Sequence, residues 1–349
     1  MITRREFIRD TAMAAMAVGI GASRVEGTEQ PKSKPLNYNE NMEYRRLGKT
    51  GLMISAIAIG GHWKRLIAGS GWERENSGIN ELDKNRYEVI SRCIDVGINC
   101  IDACSGGEIL TYAKALHRRR DKMYLSYSWY ERESRFEDWR SADKLLQGFD
   151  QGLKESGLEY VDVWRISAAM QGENTDADVE AIIEAFDKAH AQGKARFLGI
   201  SSHSRDWLKH VIEKYPQFGV VLTPYTAASK VKPEDSLFDA VKKQDVGVFG
   251  IKPFSSGSLF KDGAGAGGVS TPGDDMLARL ALRYVLCNDA ITAPIPGMIS
   301  VHQVDNAVLA VKERRKLDMT ETAHLDAAAK DMLAELPPDY HWLREWEWV

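Results

Sequence analysis

Cysteine is scarce in this chain. Cys93, Cys100, Cys104 and Cys287 are the only four in 349 residues, and none forms a CxxC pair. The clustered spacing of zinc and iron–sulfur sites is absent, so no metal centre is expected. Three of the four fall on strand or helix patterns, where a buried free thiol is the ordinary state. Charge of one sign is also lacking. The net charge is −4, which implies no polyanionic partner such as nucleic acid. Glycine (29) and proline (11) stay below low-complexity levels. No apolar run is long enough to span a bilayer comfortably. No GxGxxG follows the first strand candidate, which counts against an open doubly wound dinucleotide fold.

What is present begins with an export pattern. Residues 3–9, TRREFIR, form a twin-arginine core, and residues 11–22 follow as a mild apolar run rich in Ala and Met. Residues 1–27 are read as a twin-arginine signal and excluded from the fold. Residues 28–43, polar with two prolines, read as a linker, and residues 44–349 as one domain. This reading implies the twin-arginine export machinery as a partner and a periplasmic or other extracytoplasmic location. The cleavage site is poor, so retention as a signal anchor stays open, with no stable membrane span.

The periodic part starts at residue 44. LGKTGL, between two short apolar segments, is a hairpin signal. Apolar strand candidates then alternate with helical patterns eight times, from residues 56–59 to residues 301–311. Apolar strands with short loops predict a parallel sheet buried on both faces. Eight units in roughly 260 residues favour a closed (β/α)8 TIM barrel, about 250 residues in its usual form. Residues 320–333 add a helix, and the tail DYHWLREWEWV adds three tryptophans expected to pack over the barrel, since exposed Trp is costly. The expected fold is therefore an α/β TIM barrel with an N-terminal β-hairpin and a C-terminal helical, Trp-rich extension.

In such barrels the chemistry sits at the C-terminal ends of the strands. GINCIDACSGGE, residues 97–108, runs an apolar strand into Asp102, then a small-residue turn, then a helix with Glu108 in its first turn. Asp102 is read either as functional or as a helix cap and cation partner. Strand alternation puts Arg165 inside the barrel if Ser167 points into the mouth, and turns Tyr127 outward if Ser128 points in. A buried arginine needs a counter-ion, and Asp102, two strands away, is the expected one. The mouth also collects His62, Lys64, Trp129, Tyr130, Arg132, His203, Arg205, Tyr225 and Lys252. Tyr130 or Tyr225 is the candidate acid, with Lys64 or Lys252 beside it. Aromatic rings near charged groups suit a small-molecule, sugar-like ligand.

These segments together resemble the aldo-keto reductase family. The matching pieces are RRLGKTGLMIS, GINCID, LEYVDVWRI, GKARFLGISSHS, VGVFGIKPF and PIPGMISVHQVDN, in order along nearly the whole barrel. The resemblance implies a (β/α)8 barrel that reduces carbonyls with NADP(H), with tyrosine as proton donor, lysine and aspartate tuning it, and histidine orienting the substrate. Carried over by position, the aspartate is Asp102, but the tyrosine falls on Gly107, the lysine on Ser128 and the histidine on Ser167. Glycine has no proton to donate, and a serine hydroxyl is a far weaker acid than a tuned phenol. Of the nucleotide positions, the pair on the nicotinamide amide is Ser201-Ser202. Lys252, Gly297 and Ser300 are further candidate contacts, the last two with the helix N-terminal amides. The adenosine-phosphate cation falls on Ile299 and the adenine asparagine on Ala307, with Asn306 one position away. Two other readings stay open: a lyase or isomerase acting on a carbohydrate, and a non-catalytic binding barrel.

Overall fold

The structure is a computed structural model that describes residues 34–61, 79–260, 270–313, 315–336, 338, 341 and 344. The twin-arginine segment, His62, Lys64 and most of the Trp-rich tail lie outside the described residues.

Seven parallel strands lie side by side in chain order: β3 (Cys100–Ala103), β4 (Tyr124–Tyr127), β5 (Val161–Ser167), β6 (Ala195–Ser201), β7 (Phe218–Pro224), β8 (Gly247–Ile251) and β9 (Ala293–Ile295). The expected first strand over 56–59 takes the eighth place. Ala58 N–H donates to Pro294 O on one edge (3.1 Å), and Ile59 N–H to Cys100 O on the other (3.0 Å). Asp102 N–H returns a bond to Ile59 O at 2.8 Å. This segment shares its bonds between two neighbours and forms one bridge, Ile59 to Ile101, rather than a full ladder. It closes the sheet into a TIM barrel.

Alternation along the strands sorts the side chains into two cores. Inside the barrel Cys100, Val163, Val220, Leu222, Phe249, Ala293 and Ile295 pack together. Between sheet and helices a larger cluster includes Ile101, Tyr127, Trp164, Ile166, Ile200 and Val221. Tyr127 faces outward as alternation required, its ring edge-on to Phe149 at 5.3 Å.

Nine helices are described: α1 (Ile79–Asp95), α2 (Gly106–Ala115), α3 (Ala142–Ser156), α4 (Asp176–Ala191), α5 (Arg205–Lys214), α6 (Leu237–Gln244), α7 (Pro272–Leu286), α8 (Val301–Lys312) and α9 (Met319–Ala334). From α2 onward each begins on a Ser, Thr or Asp whose side chain accepts a first-turn N–H, the cap that satisfies an otherwise orphaned donor. Gly157 ends α3 in the left-handed conformation at φ 69°. Helix α9 docks on α7 through paired bonds from Arg283 to Glu321, both 2.9 Å. Among the described residues no helix is long and apolar enough to cross a membrane.

The hairpin of β1 (Tyr44–Arg46) and β2 (Met53–Ser55) pairs antiparallel, with Tyr44 opposite Ser55. Its turn presses on the start of β8, where a Cβ on Gly48 would fall 2.2 Å from Gly247 N. Leu47, Leu52 and Ile54 enter the interior core from that end, so the hairpin closes the barrel bottom. Residues 34–43, the end of the expected linker, are folded against the same end. Tyr44 Oη donates to Asn37 O and Gly97 O, both at 3.1 Å, and Asn39 Nδ2 donates to Asp95 O at 3.2 Å.

Candidate active site at the barrel mouth

Asp102 lies next to the last residue of β3, inside the barrel, and is almost fully buried. Arg165 of β5 reaches it across β4, with Nε donating to Oδ1 at 2.8 Å and Nη2 to Oδ2 at 3.0 Å. This is the two-bond fork that guanidinium and carboxylate favour. The expected ion pair is formed. Ser126, level with Asp102 on the adjoining strand, donates to Oδ1 at 2.8 Å. Burial lowers the Arg165 pKa, but Asp102 outweighs it and holds the guanidinium above its ordinary range. Gly199 faces Arg165 across the β5–β6 register and leaves it room, since a Cβ there would lie 2.9 Å from Arg165 Cβ.

The chain of polar groups continues toward the mouth. Arg165 Nη1 donates to Ser167 Oγ at 3.0 Å, and Ser167 Oγ meets Ser128 Oγ at 2.9 Å. Ser128 Oγ donates to Glu133 Oε2. Glu133 also accepts from Ser167 N–H (2.8 Å), Trp129 N–H (3.0 Å) and Trp164 Nε1 (3.4 Å). Burial pushes the Glu133 carboxyl up, against those bonds, which favour its charged form. The positions of the resemblance's lysine and histidine are thus two serines bridging an arginine to a buried glutamate.

Glu133 was not legible in the sequence. It lies just past a short 3-10 turn (Tyr130–Arg132), where no strand or helix period applies. Glu108, expected in the first turn of a helix, is buried there at the start of α2. Its Oε2 accepts Cys104 N–H at 2.8 Å, and its carboxylate fills the space over Gly61, where a Cβ would meet it at 1.9 Å. It shapes the turn.

The other candidates divide. Tyr130 is half-buried at the rim, its N–H bonded to Cys104 O at 3.3 Å. Burial, then the charge of Glu131, raises its phenol instead of tuning it down. Trp129 lies over the start of α2, where a Cβ on Gly106 would be 2.2 Å from its ring, and Arg132 covers its ring at 4.2 Å. Tyr225 corrects the expectation of an acid at the mouth. It is turned into the helix layer, stacked on Tyr284 at 5.7 Å and edge-on to Phe238 at 5.6 Å, and takes no part in the chain around Asp102. Lys252 follows β8 at φ 59°, and Ser255 and Ser256 come next at φ 50° and 57°. Three non-glycine residues in the left-handed region make this turn strained, a feature that gathers at functional sites.

At the nucleotide positions most side chains are already engaged. Ser202 Oγ donates to Ala169 O at 2.9 Å. Ser300 Oγ caps α8 by accepting Gln303 N–H at 3.2 Å. Asn306 accepts from Arg279 Nη1 at 2.6 Å and donates to Asp275 O at 3.0 Å. A Cβ on Gly297 would sit 2.6 Å from Gly61 O, so backbone fills that space. Ile299 is buried, with no cation in its place. Ser201 is buried at the C-terminal end of β6, and no hydrogen bond of its hydroxyl is described. The residues present therefore do not fit the adenosine-phosphate end of NADP(H). Among the described residues no cluster of three His, Cys, Asp or Glu could hold a metal ion.

Comparison with known proteins places this geometry. The model of the Aldo/keto reductase family matches residues 66–330. L-galactose dehydrogenase of Arabidopsis thaliana is 26% identical over 305 residues, which cover 80% of this chain and 91% of that one. L-glyceraldehyde 3-phosphate reductase of Escherichia coli (strain K12) is 26% identical over 251 residues, 65% of either chain. Among solved structures, the holo form of an aldo-keto reductase from Bacillus halodurans superposes with a TM-score of 0.59 at 21% identity, covering 82% of this chain and 96% of that one.

Proposed function

The chain belongs to the aldo/keto reductase family, and from that premise we propose that it acts on a small polyhydroxylated carbonyl compound at the barrel mouth, outside the cytoplasm. Its class is that of an aldo-keto-reductase-like oxidoreductase. The observation that carries the reading is the survival of Asp102 at its family place, at the C-terminal end of a barrel strand where this fold keeps its chemistry. Two relatives are named for sugar-related carbonyl substrates, and Tyr130, with Arg135 over its ring, gives the rim an aromatic and a cationic group that suit such molecules. Tyr130 is the rim phenol available to donate a proton; no group of the family tetrad other than Asp102 remains. NADP(H) is the reductant the family implies, and no step is assigned to it, because residues 297–307 hold no lysine or arginine for the adenosine phosphate and their histidine, His302, is bonded to Asp275. The twin-arginine pattern supports the extracytoplasmic place.

A second reading has an observation of its own. Asp102 is locked by Arg165 and Ser126, which suits a barrel turned to non-redox chemistry on a carbohydrate or to binding alone. Titration of the chain lacking residues 1–27 with NADPH and NADH, by calorimetry, separates the two. Binding below millimolar, with consumption on adding a sugar aldehyde and loss of turnover in Tyr130→Phe, supports the oxidoreductase. No binding at millimolar nucleotide removes it and leaves the second reading.

A further inference from the structure

We propose that the mouth of this barrel binds an anionic group, a carboxylate or a phosphate on a small polar molecule, with Arg135 as its main contact. Arg135 lies on the loop between β4 and α3. Its N–H donates to Ser167 O at the end of β5 (2.9 Å), which fixes it at the rim. Its guanidinium lies over the Tyr130 ring at 5.1 Å. Its Nε is buried without a hydrogen-bond partner, and among the described residues no carboxylate pairs with it. A buried donor left in that state keeps its full desolvation penalty, so native structures supply a partner as a rule.

The acids nearby are spent elsewhere. Asp102 is taken by Arg165, and Glu133 by four donors from Ser128, Trp129, Trp164 and Ser167. Glu108 accepts from Cys104 N–H. A histidine and two cations gather around the same opening from the ends of two other strands, β6 and β8. His203 follows β6, tied by its N–H to Met170 O at 3.1 Å. Arg205 opens α5 and donates to Pro224 O at 2.7 Å. Lys252 stands in the strained turn after β8. Burial holds His203 well below its ordinary range, and the charges of Lys252, Arg135 and Arg205 add to that, so each of the three lies within electrostatic reach of His203. The arginine fork matches the two oxygens of a carboxylate or phosphate, and the Tyr130 ring beside it offers a face for the carbon skeleton. Neither turnover nor a nucleotide enters this inference.

The test is calorimetric titration of the chain lacking residues 1–27, free of nucleotide, with D-galacturonate, D-galactose and inorganic phosphate. The expected result is binding of galacturonate or phosphate, with galactose at least about tenfold weaker, and a loss of about tenfold or more in Arg135→Gln. Arg135→Lys, which keeps the charge without the fork, falls between. Galacturonate tighter than phosphate identifies a carboxylate ligand, and the reverse order identifies a phosphate. Equal binding of galactose and galacturonate, an unchanged affinity in both variants, or no anion bound at millimolar concentration would each overturn the proposal. A chain that binds the anion but no nucleotide loses only the oxidoreductase reading.

Discussion

Replacing Arg165 with methionine would leave the Asp102 carboxylate in the barrel with the Ser126 hydroxyl, 2.8 Å away, as its remaining side-chain donor. Three bonds from the guanidinium go at once: two to Asp102, at 2.8 and 3.0 Å, and one to Ser167 at 3.0 Å. Both charged side chains are nearly inaccessible, at 5% and 7% exposure, so water cannot take over the lost bonds. Removing one partner of such a pair costs about 3–5 kcal/mol, mostly because the other charge stays buried. At roughly 2 °C per kcal/mol for a chain of this length, the melting point falls by roughly 6–10 °C. Asp102→Asn alone strands the arginine and costs a similar amount. The double variant Asp102→Asn/Arg165→Met buries no charge at either position, so it recovers much of the loss, with a coupling energy of about 2 kcal/mol or more. Thermal and urea melts of the four proteins, followed by circular dichroism, give the cycle directly. A cost under about 1 kcal/mol for Arg165→Met, or a double variant as unstable as the sum of the singles, would refute the reasoning.

Two further outcomes follow from the geometry. Glu133→Gln puts an amide donor against the N–H groups of Trp129 or Ser167, so it lowers stability by about 1–3 kcal/mol in urea melts; an unchanged midpoint would mean these bonds carry nothing. Glu321 is held at about 2, below the ordinary carboxylate range, by Arg283 and the Asp318 N–H. Its folded value is depressed, so its contribution is present above the unfolded value of about 4.3 and is lost as pH falls from there toward 2. The melting gap between the native chain and Glu321→Gln therefore narrows across that window, and a gap independent of pH would show that the α7–α9 contact does not depend on this charge.

How much of this was legible in the sequence depended on whether a repeat governed the residue. The ion pair was readable because Arg165 and Ser167 share a strand face, and a charge on that face demands a partner. Tyr127 was readable by the same rule. Tyr225 was not placed by it, though the rule held: Val220, Leu222 and Pro224 are the even positions of β7, the first two sit in the interior core, and the next odd position turns outward. The grip of Glu133 and the exposed need of Arg135 were hidden, because both lie in a loop whose path follows from its bonds to β5 and not from a pattern of its own. The nucleotide positions were hidden for another reason. Ser300 and Asn306 are polar residues at suitable places, but their neighbours Gln303, Arg279 and Asp275 use them first.

The hairpin beneath the barrel gives the molecule a direction. Leu47, Leu52 and Ile54 stopper one end, so whatever reaches Asp102 and Arg165 must arrive from the other. The chain enters the fold at the stoppered end, where Asn37 and Asn39 are bonded beside Gly97. Any leader joined ahead of residue 34 is attached on the side away from the opening.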